Sequence, residues 1–480
     1  MNQVPYKMLS DDEVYQIHLA ATRLLREVGV CVHLPAAQKL LTDAGCLVGE
    51  KDRFRIPTKL VEECAAMAPE TFTLYGRDPS YKAVMEGTRV NIQPMIGRLN
   101  IFDLETGLRR RTNLQDVGNL VKIADSLPYY NTLHSGSIMP HIEGVPDAVA
   151  HVNGYITCVR NSSKVNKGCC RGSKVAKDIL KMAEIVAGGS KEMAQKPNVF
   201  TTVNLISPLE YDDVMLEGLI EYAKRGMPVD VASEPQMGAT SPVTLAGTLA
   251  QQTAEMLGAL VMAQLVNPGT PVIMGTVGAS MDMSNGTIAL GGIEAGMLNA
   301  AHAQICRFYK VPSRGTGSNT ETKLLDYQAG VEKALTMALP LWSGVNMIFY
   351  PGTMDHAKTI SMESLLLDHE LISMCFHAMR GIAVNDNTLA VDIIEKVGPG
   401  RHFLTEKHTM LNLGSEHFVP KYFDRGDYEG WLSKGSKTIT DVAREEVKRI
   451  LSTHQVKPLP EACEKELADY VKSVEKRELG

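Results

Sequence analysis

The hydrophobic pattern changes period twice along residues 311–356, VPSRGTGSNTETKLLDYQAGVEKALTMALPLWSGVNMIFYPGTMDH. Val311 to Arg314 is a short strand-like piece that breaks into a Gly/Ser/Thr/Asn loop. Leu324, Leu325, Tyr327, Val331, Ala334, Leu335 and Ala338 then recur at the spacing of one helix face, which predicts a helix over Lys323 to Leu339. Asn346 to Tyr350 is a compact apolar run of the kind a buried parallel strand shows, and it ends in a polar loop, Pro351 to His356. Strand, polar loop, helix, strand is a βαβ unit.

The unit repeats. Strand candidates start near Val90, Tyr129, Ser163, Asn198, Pro228, Pro271, Val311 and Asn346. Helix-period segments follow each, from Asp116 to Leu127 through to Thr359 to Met379, with an excursion, IFDLETGLRR, after the first strand. Eight βα units predict an α/β fold, a (β/α)8 TIM barrel over residues 86–380. The alternative is a doubly wound open sheet, but no G-x-G-x-x-G loop supports it. Residues 1–85 read as an N-terminal helical cap, with helices at Asp11 to Leu25, Pro35 to Leu41 and Pro57 to Met67. Strand-like pieces follow at Phe72 to Tyr75 and Lys82 to Met85. Residues 381–480 lose the strand repeat and read as a C-terminal helical extension that covers the barrel or contacts another subunit, so a homo-oligomer is expected.

Composition narrows the class. The apolar fraction of 44% and charged fraction of 22% are those of a globular protein. A net charge of −6 without a basic block argues against nucleic acid and against an anionic membrane surface. No apolar run reaches the length of a membrane span, and the N-terminus lacks a signal-peptide core. Nine scattered cysteines point to reduced thiols and a cytoplasmic location.

In such a barrel the reacting groups lie at the C-terminal ends of the strands. The loops there are LHSGSIMPH (133–141), NKGCCRG (166–172), NLISPLE (204–210), SEPQMGAT (233–240), GTVGASMDM (275–283), RGTGSNTE (314–321) and YPGTMDH (350–356). They hold positioning groups but no H-E-x-x-H, no P-loop and no nucleophile–base constellation. Cys169 and Cys170 are adjacent and suit joint metal ligation poorly. Nothing marks Lys164 or Lys167 as a Schiff-base lysine. A site of this kind fits chemistry carried by a partner or cofactor. No tightly bound cofactor and no metal is expected, and no residue is assigned a catalytic role.

The stretches LSDDEVYQIHLAATRLLREVGV, IPTKLVEECAAMAP, FTLYGRDP, GSNTETKLLDYQAGVEKAL and GPGRHFLTEKHTM give the chain a further character. Through them it resembles the trimethylamine methyltransferase family, in its pyrrolysine-free branch. The trimethylamine enzymes carry pyrrolysine inside the barrel, whereas this chain has standard residues throughout. The resemblance therefore implies demethylation of a quaternary amine, glycine betaine first, with the methyl group passed to the Co(I) of a separate corrinoid protein. It implies anaerobic C1 metabolism of the methanogenic or acetogenic type. The cobalt must come from elsewhere, because Asp355–His356 and Asp368–His369 do not form the corrinoid-binding D-x-H-x-x-G.

A methylammonium head is recognised by aromatic faces. Tyr350 and Phe349 lead the candidates, ahead of Tyr129, Tyr130 and Phe200, and strand alternation lets only one of Phe349 and Tyr350 face the site. Glu234 offers charge attraction for the cation. Arg314 is the first choice of donor for a betaine carboxylate, then His356 and His134, although Arg314 could equally pair with a structural acid. Two other readings stay open: a metal-assisted lyase built on His134, Glu234, Asp282 and His356, and a non-catalytic binder of quaternary amines.

Overall fold

The computed structural model describes residues 5–134 and 142–480. Eight short parallel strands form its central sheet: β1 (Asn91–Gln93), β2 (Thr132–His134), β3 (Val165–Lys167), β4 (Val199–Leu205), β5 (Val229–Ser233), β6 (Val272–Thr276), β7 (Ser313–Thr316) and β8 (Met347–Phe349). β1 pairs with β8, and the order then runs back through the chain to β2. The ring is joined where Ile92 bridges Tyr130 and the Asn131 N–H donates to the Ile92 carbonyl at 3.0 Å. The architecture is the expected barrel, with every strand within a few residues of its predicted start. An open sheet would leave β1 and β2 as edges with unpaired backbone groups.

Helices α1 (Leu114–Ser126), α2 (Asp147–Asn161), α3 (Gly172–Ala187), α4 (Asp213–Lys224), α5 (Leu245–Val266), α6 (Ile293–Phe308), α7 (Tyr327–Trp342) and α8 (Met362–Met379) surround the strands. Their starts follow local chemistry: Asn113 and Asp116 form a capping box at α1, and Ser361 accepts from the Ser364 N–H at α8. α5 is apolar nearly all round and is buried from Thr248 to Gln264, as a helix covered on every side must be.

α7 inverts the expected face. Val331 and Leu335 are exposed and Tyr327 is 88% exposed, while Ala329, Lys333, Thr336, Met337 and Leu341 face inward. A buried lysine is tolerated because Lys333 Nζ meets Asp368 Oδ2 at 2.9 Å and donates to the Ser318 and Thr353 carbonyls.

The segment before β1 carries the three predicted helices. It also carries short strands at Val30–Val32, Leu47–Val48 and Arg53–Arg55, which the sequence pattern did not show. The hairpin of Phe72–Tyr75 and Lys82–Met85 packs Leu74, Ala83 and Met85 against Val165, Phe200, Ile273 and Met347 inside the barrel. It binds at the start of the strands, where the Tyr75 N–H donates to the Pro197 carbonyl. The N-terminal end of the barrel is thus stoppered, leaving the C-terminal end for ligand. Among the described residues no helix is long and apolar enough to cross a membrane.

Candidate active site

A cavity of about 160 Å³ lies at the C-terminal ends of the strands. At ~30 Å³ per water it has room for roughly five waters, or one small solute. It is lined by the last residues of β2, β3 and β8 (His134, Lys167 and Phe349), with Thr201, Thr202 and Arg314 from β4 and β7. Met95, Arg98, Cys169, Cys170, Glu234 and Tyr350 come from the loops. Register explains the gathering: His134 pairs with Lys167, and Phe349 with Gln93 and Thr316. Arg171, Asn204 and Glu234 are exposed at the rim, so the cavity opens toward the strand-end face.

The floor is an ion pair. Arg314, 2% exposed, donates through Nε to Asp230 Oδ2 at 3.0 Å and through Nη1 to the Thr276 carbonyl at 3.0 Å. Thr202 Oγ1 donates to the same Asp230 oxygen at 2.6 Å. The pair spans β5 to β7 across Gly275 of β6, where a Cβ would overlap Asp230 Oδ1 and stand 3.0 Å from Arg314 Nε. Glycine is required there because the ion pair occupies the space a side chain would take. Two of the donors of Arg314 are thereby committed to the protein.

Three further charges face the cavity. Lys167 lies 4.9 Å from the Phe349 ring centre, with the Arg314 guanidinium 4.7 Å from the same ring. Burial pushes the Lys167 ammonium down to about 7, against the pull of Asp230 and with the push of Arg314. Arg98 lies over Tyr350 at 4.8 Å, and its Nε and Nη2 are buried without a hydrogen-bond partner among the described residues. Glu234 is exposed at the rim, but protein atoms crowd its carboxyl and displace part of its water. That loss raises its carboxyl, while Arg98 and Arg314 draw it down. Burial raises both thiols of Cys169 and Cys170, the latter to about 12, which disfavours a thiolate nucleophile.

Of the residues singled out from sequence, Tyr350, Phe349, Arg314, Glu234 and His134 line this cavity. Phe349 and Tyr350 both do so, against the alternation rule. The strand ends at Phe349, and Tyr350 sits at φ +89°, where successive side chains no longer point to opposite faces. His356 is elsewhere. The loop turns outward through the positive-φ residues Asp355, His356 and Ala357, and His356 Nδ1 rests 3.0 Å from the Ile288 carbonyl in a separate cleft with Asp282 and Glu321. The four proposed lyase ligands therefore do not converge, and no group of three or more metal-ligating side chains is found among the described residues. Tyr129 and Tyr130 precede β2 at the opposite end, where Tyr129 stacks on Phe376 and the Tyr130 hydroxyl donates to the Leu365 carbonyl. Phe200 is core. Lys164 is held by the Ala124 and Leu127 carbonyls. Residues 135–141, most of the loop LHSGSIMPH, lie outside the described residues.

Sequence reasoning missed Arg98 and Asp230. Asp230 carried a signal, since a charged residue inside the apolar strand VDVAS has to find a partner. Lys167, in VNK, carried the same one. Arg98 lies in the irregular stretch after β1 and carried none.

The family profile described as trimethylamine methyltransferase (MTTB) matches residues 1–480. The chain belongs to this family. It is 36% identical over 434 residues to the glycine betaine methyltransferase of Desulfitobacterium hafniense strain Y51, covering 90% of each chain. To the trimethylamine methyltransferase MttB of D. hafniense strain DSM 10664 / DCB-2 it is 34% identical over 467 residues, covering 97% of this chain and 93% of the relative. The monomethylamine methyltransferase MtmB of Methanosarcina barkeri superposes with a TM-score of 0.53 at 12% identity, covering 98% of this chain and 88% of that one. That likeness shows the shared barrel. Like its named relatives in the family, the chain is a methyltransferase.

Proposed function

We propose that the protein takes a methyl group from a small quaternary amine, glycine betaine first, and passes it to a corrinoid carried by a separate protein. The observation that carries this reading is one small cavity holding two aromatic rings, a carboxylate and an arginine with two nitrogens that lack a hydrogen-bond partner among the described residues. The 36% identity to a glycine betaine methyltransferase supports it. The cobalt in its Co(I) state would supply the nucleophile.

The chain's own residues then have a positioning task. A quaternary ammonium needs no proton to leave, because the amine departs neutral, so the lack of a thiolate or an obvious base is consistent with the reaction. The residues present fit a visiting acceptor, since the cavity opens at the strand ends. Glu234 offers the ammonium a negative charge and Tyr350 an aromatic face, while the Phe349 ring already carries Lys167 and Arg314. Arg98 takes over the carboxylate role first given to Arg314, because its Nε and Nη2 have no partner among the described residues, while two donors of Arg314 hold Asp230 and Thr276. Holding the ligand by both ends aims one methyl at the mouth, which is the catalytic contribution of fixed geometry.

The test is methylation of a purified Co(I) corrinoid protein, with glycine betaine, choline and trimethylamine as donors. Turnover with glycine betaine is expected. No methyl transfer from any quaternary amine would overturn the reading. Calorimetry with the Arg98→Ala variant checks the carboxylate contact. Losing a charge-assisted hydrogen bond of about 1.5–3 kcal/mol should weaken glycine betaine roughly 10- to 150-fold, whereas choline, relieved of a nearby cation, should bind at least as well. Equal losses for both ligands would remove Arg98 from that role.

A further inference from the structure

Both aromatic rings of the cavity face cations of the protein itself. Phe349 has the Lys167 ammonium at 4.9 Å and the Arg314 guanidinium at 4.7 Å from its ring centre. Tyr350 has the Arg98 guanidinium at 4.8 Å. A quaternary ammonium that takes either ring therefore meets a like charge already drawn to it.

The cations differ in how firmly they are held. Arg314 is bound to Asp230 and to the Thr276 carbonyl and is 2% exposed, so it stays in place. Arg98 is half-buried, and its Nε and Nη2 have no hydrogen-bond partner among the described residues. The backbone beside it is fixed. Pro94, Ile96 and Gly97 are buried, and the Met95 N–H donates at 3.0 Å to the carbonyl of Pro351, the residue after Tyr350. Gly97, at φ +85°, makes the turn between that tie and Arg98. Movement is thus left to the Arg98 side chain, whose long stem has many rotamers.

A guanidinium that rests on a ring with N–H groups unmet is poised to leave for a carboxylate, because a charge-assisted and bidentate pair is stronger than the contact it replaces. We propose that Arg98 makes a ligand carboxylate the condition for binding the ammonium. Resting on Tyr350, it holds that ring against cations. The carboxylate of a betaine draws the guanidinium away, and the ammonium of the same molecule takes the ring. Choline and tetramethylammonium offer Arg98 nothing and must displace it against its attraction to the ring. Selection then works by obstructing the wrong ligand as well as by holding the right one. This role rests on the quaternary-amine reading above and sets a preference within it, zwitterions over bare cations.

Calorimetric titration reads the exchange. Choline should bind Arg98→Ala on the order of 10-fold more tightly than wild type, while glycine betaine binds it more weakly. Tyr350→Leu removes the contested ring, so in that background Arg98→Ala should bring choline little gain. A general repulsion by the Arg98 charge would bring the full gain there too. Acetate tests the unaltered protein. It should draw Arg98 off the ring and tighten choline roughly 5-fold, and choline should tighten acetate by the same factor. Chloride at equal ionic strength should do neither, and Arg98→Ala should abolish the coupling. Choline that binds Arg98→Ala no better than wild type, the full gain in the Tyr350→Leu background, or acetate without effect on wild type would each overturn the proposal. Glycine betaine that fails to bind wild type would overturn the functional reading beneath it as well.

Discussion

At the scale of the residue, the cavity depends on a few charges held in little water. Arg314 and Asp230 are each nearly or wholly buried, so removing one strands the other, at a cost of roughly 3–5 kcal/mol. Gly275→Ala reaches the same pair without touching a charge. The new methyl must displace the Asp230 carboxylate or the guanidinium, and about 1–3 kcal/mol of stability should be lost in chemical denaturation. A protein as stable as wild type would show that the pair shifts freely. Lys167 gives the cavity a pH response. Below about pH 7 its ammonium opposes a quaternary cation, and above that value it is neutral. Choline affinity should therefore rise from pH 6 to pH 8. Lys167→Met should reduce that slope. Calorimetric titrations at several pH values read both. An unchanged slope in the variant would place the titrating group elsewhere.

At the scale of the element, the βα repeat was legible because buried parallel strands are short apolar runs and the polar loops punctuate them. All eight strand starts could be read in this way. What failed were readings that extended a local rule past the element it belongs to. Alternation placed only one of Phe349 and Tyr350 in the site, yet the strand had already ended. Proximity to a strand end placed His356 there, yet three positive-φ residues carry it away. Periodicity identified an apolar face on α7 correctly but could not tell a face covered by the chain's own core from one left on the outside. The inward side of α7 carries a lysine that sequence alone reads as solvent-facing. It is stable inside because Asp368 and two carbonyls meet it. Lys333→Met tests this. It leaves Asp368 buried without its cation and should cost roughly 3–5 kcal/mol, and Lys333→Met with Asp368→Leu should recover most of the loss in the same denaturation assay.

At the scale of the whole molecule, the chain closes on itself through its last helix, Glu461–Leu479. Leu467, Val471 and Val474 of that helix are buried in the cluster that holds α2 and α3. Asp178 of α3 is the fixed point. Its carboxylate accepts from the Tyr470 hydroxyl at 2.8 Å and from both Nη atoms of Arg477, with His151 Nε2 of α2 at 3.0 Å. Burial alone would raise this carboxyl, but the hydrogen bonds from His151, Arg477 and Tyr470 together hold it well below the usual range. A carboxyl lowered by folding binds its proton more weakly in the native than in the unfolded chain. Its contribution is therefore complete above the ordinary aspartate value near 3.8 and is lost only as pH falls from there toward the lowered native value. Asp178→Asn keeps the size and removes the charge. At neutral pH it should cost about 2–3 kcal/mol, the scale of hydrogen bonds to a charged group. The deficit relative to wild type should shrink as the pH drops below 4, because wild type then loses what the variant never had. Protection of the last helix against proteolysis should fall in parallel. A deficit that stays constant down to the acid transition would show that the asparagine acts through packing, and that Tyr470 and Arg477 are held by contacts other than the charge.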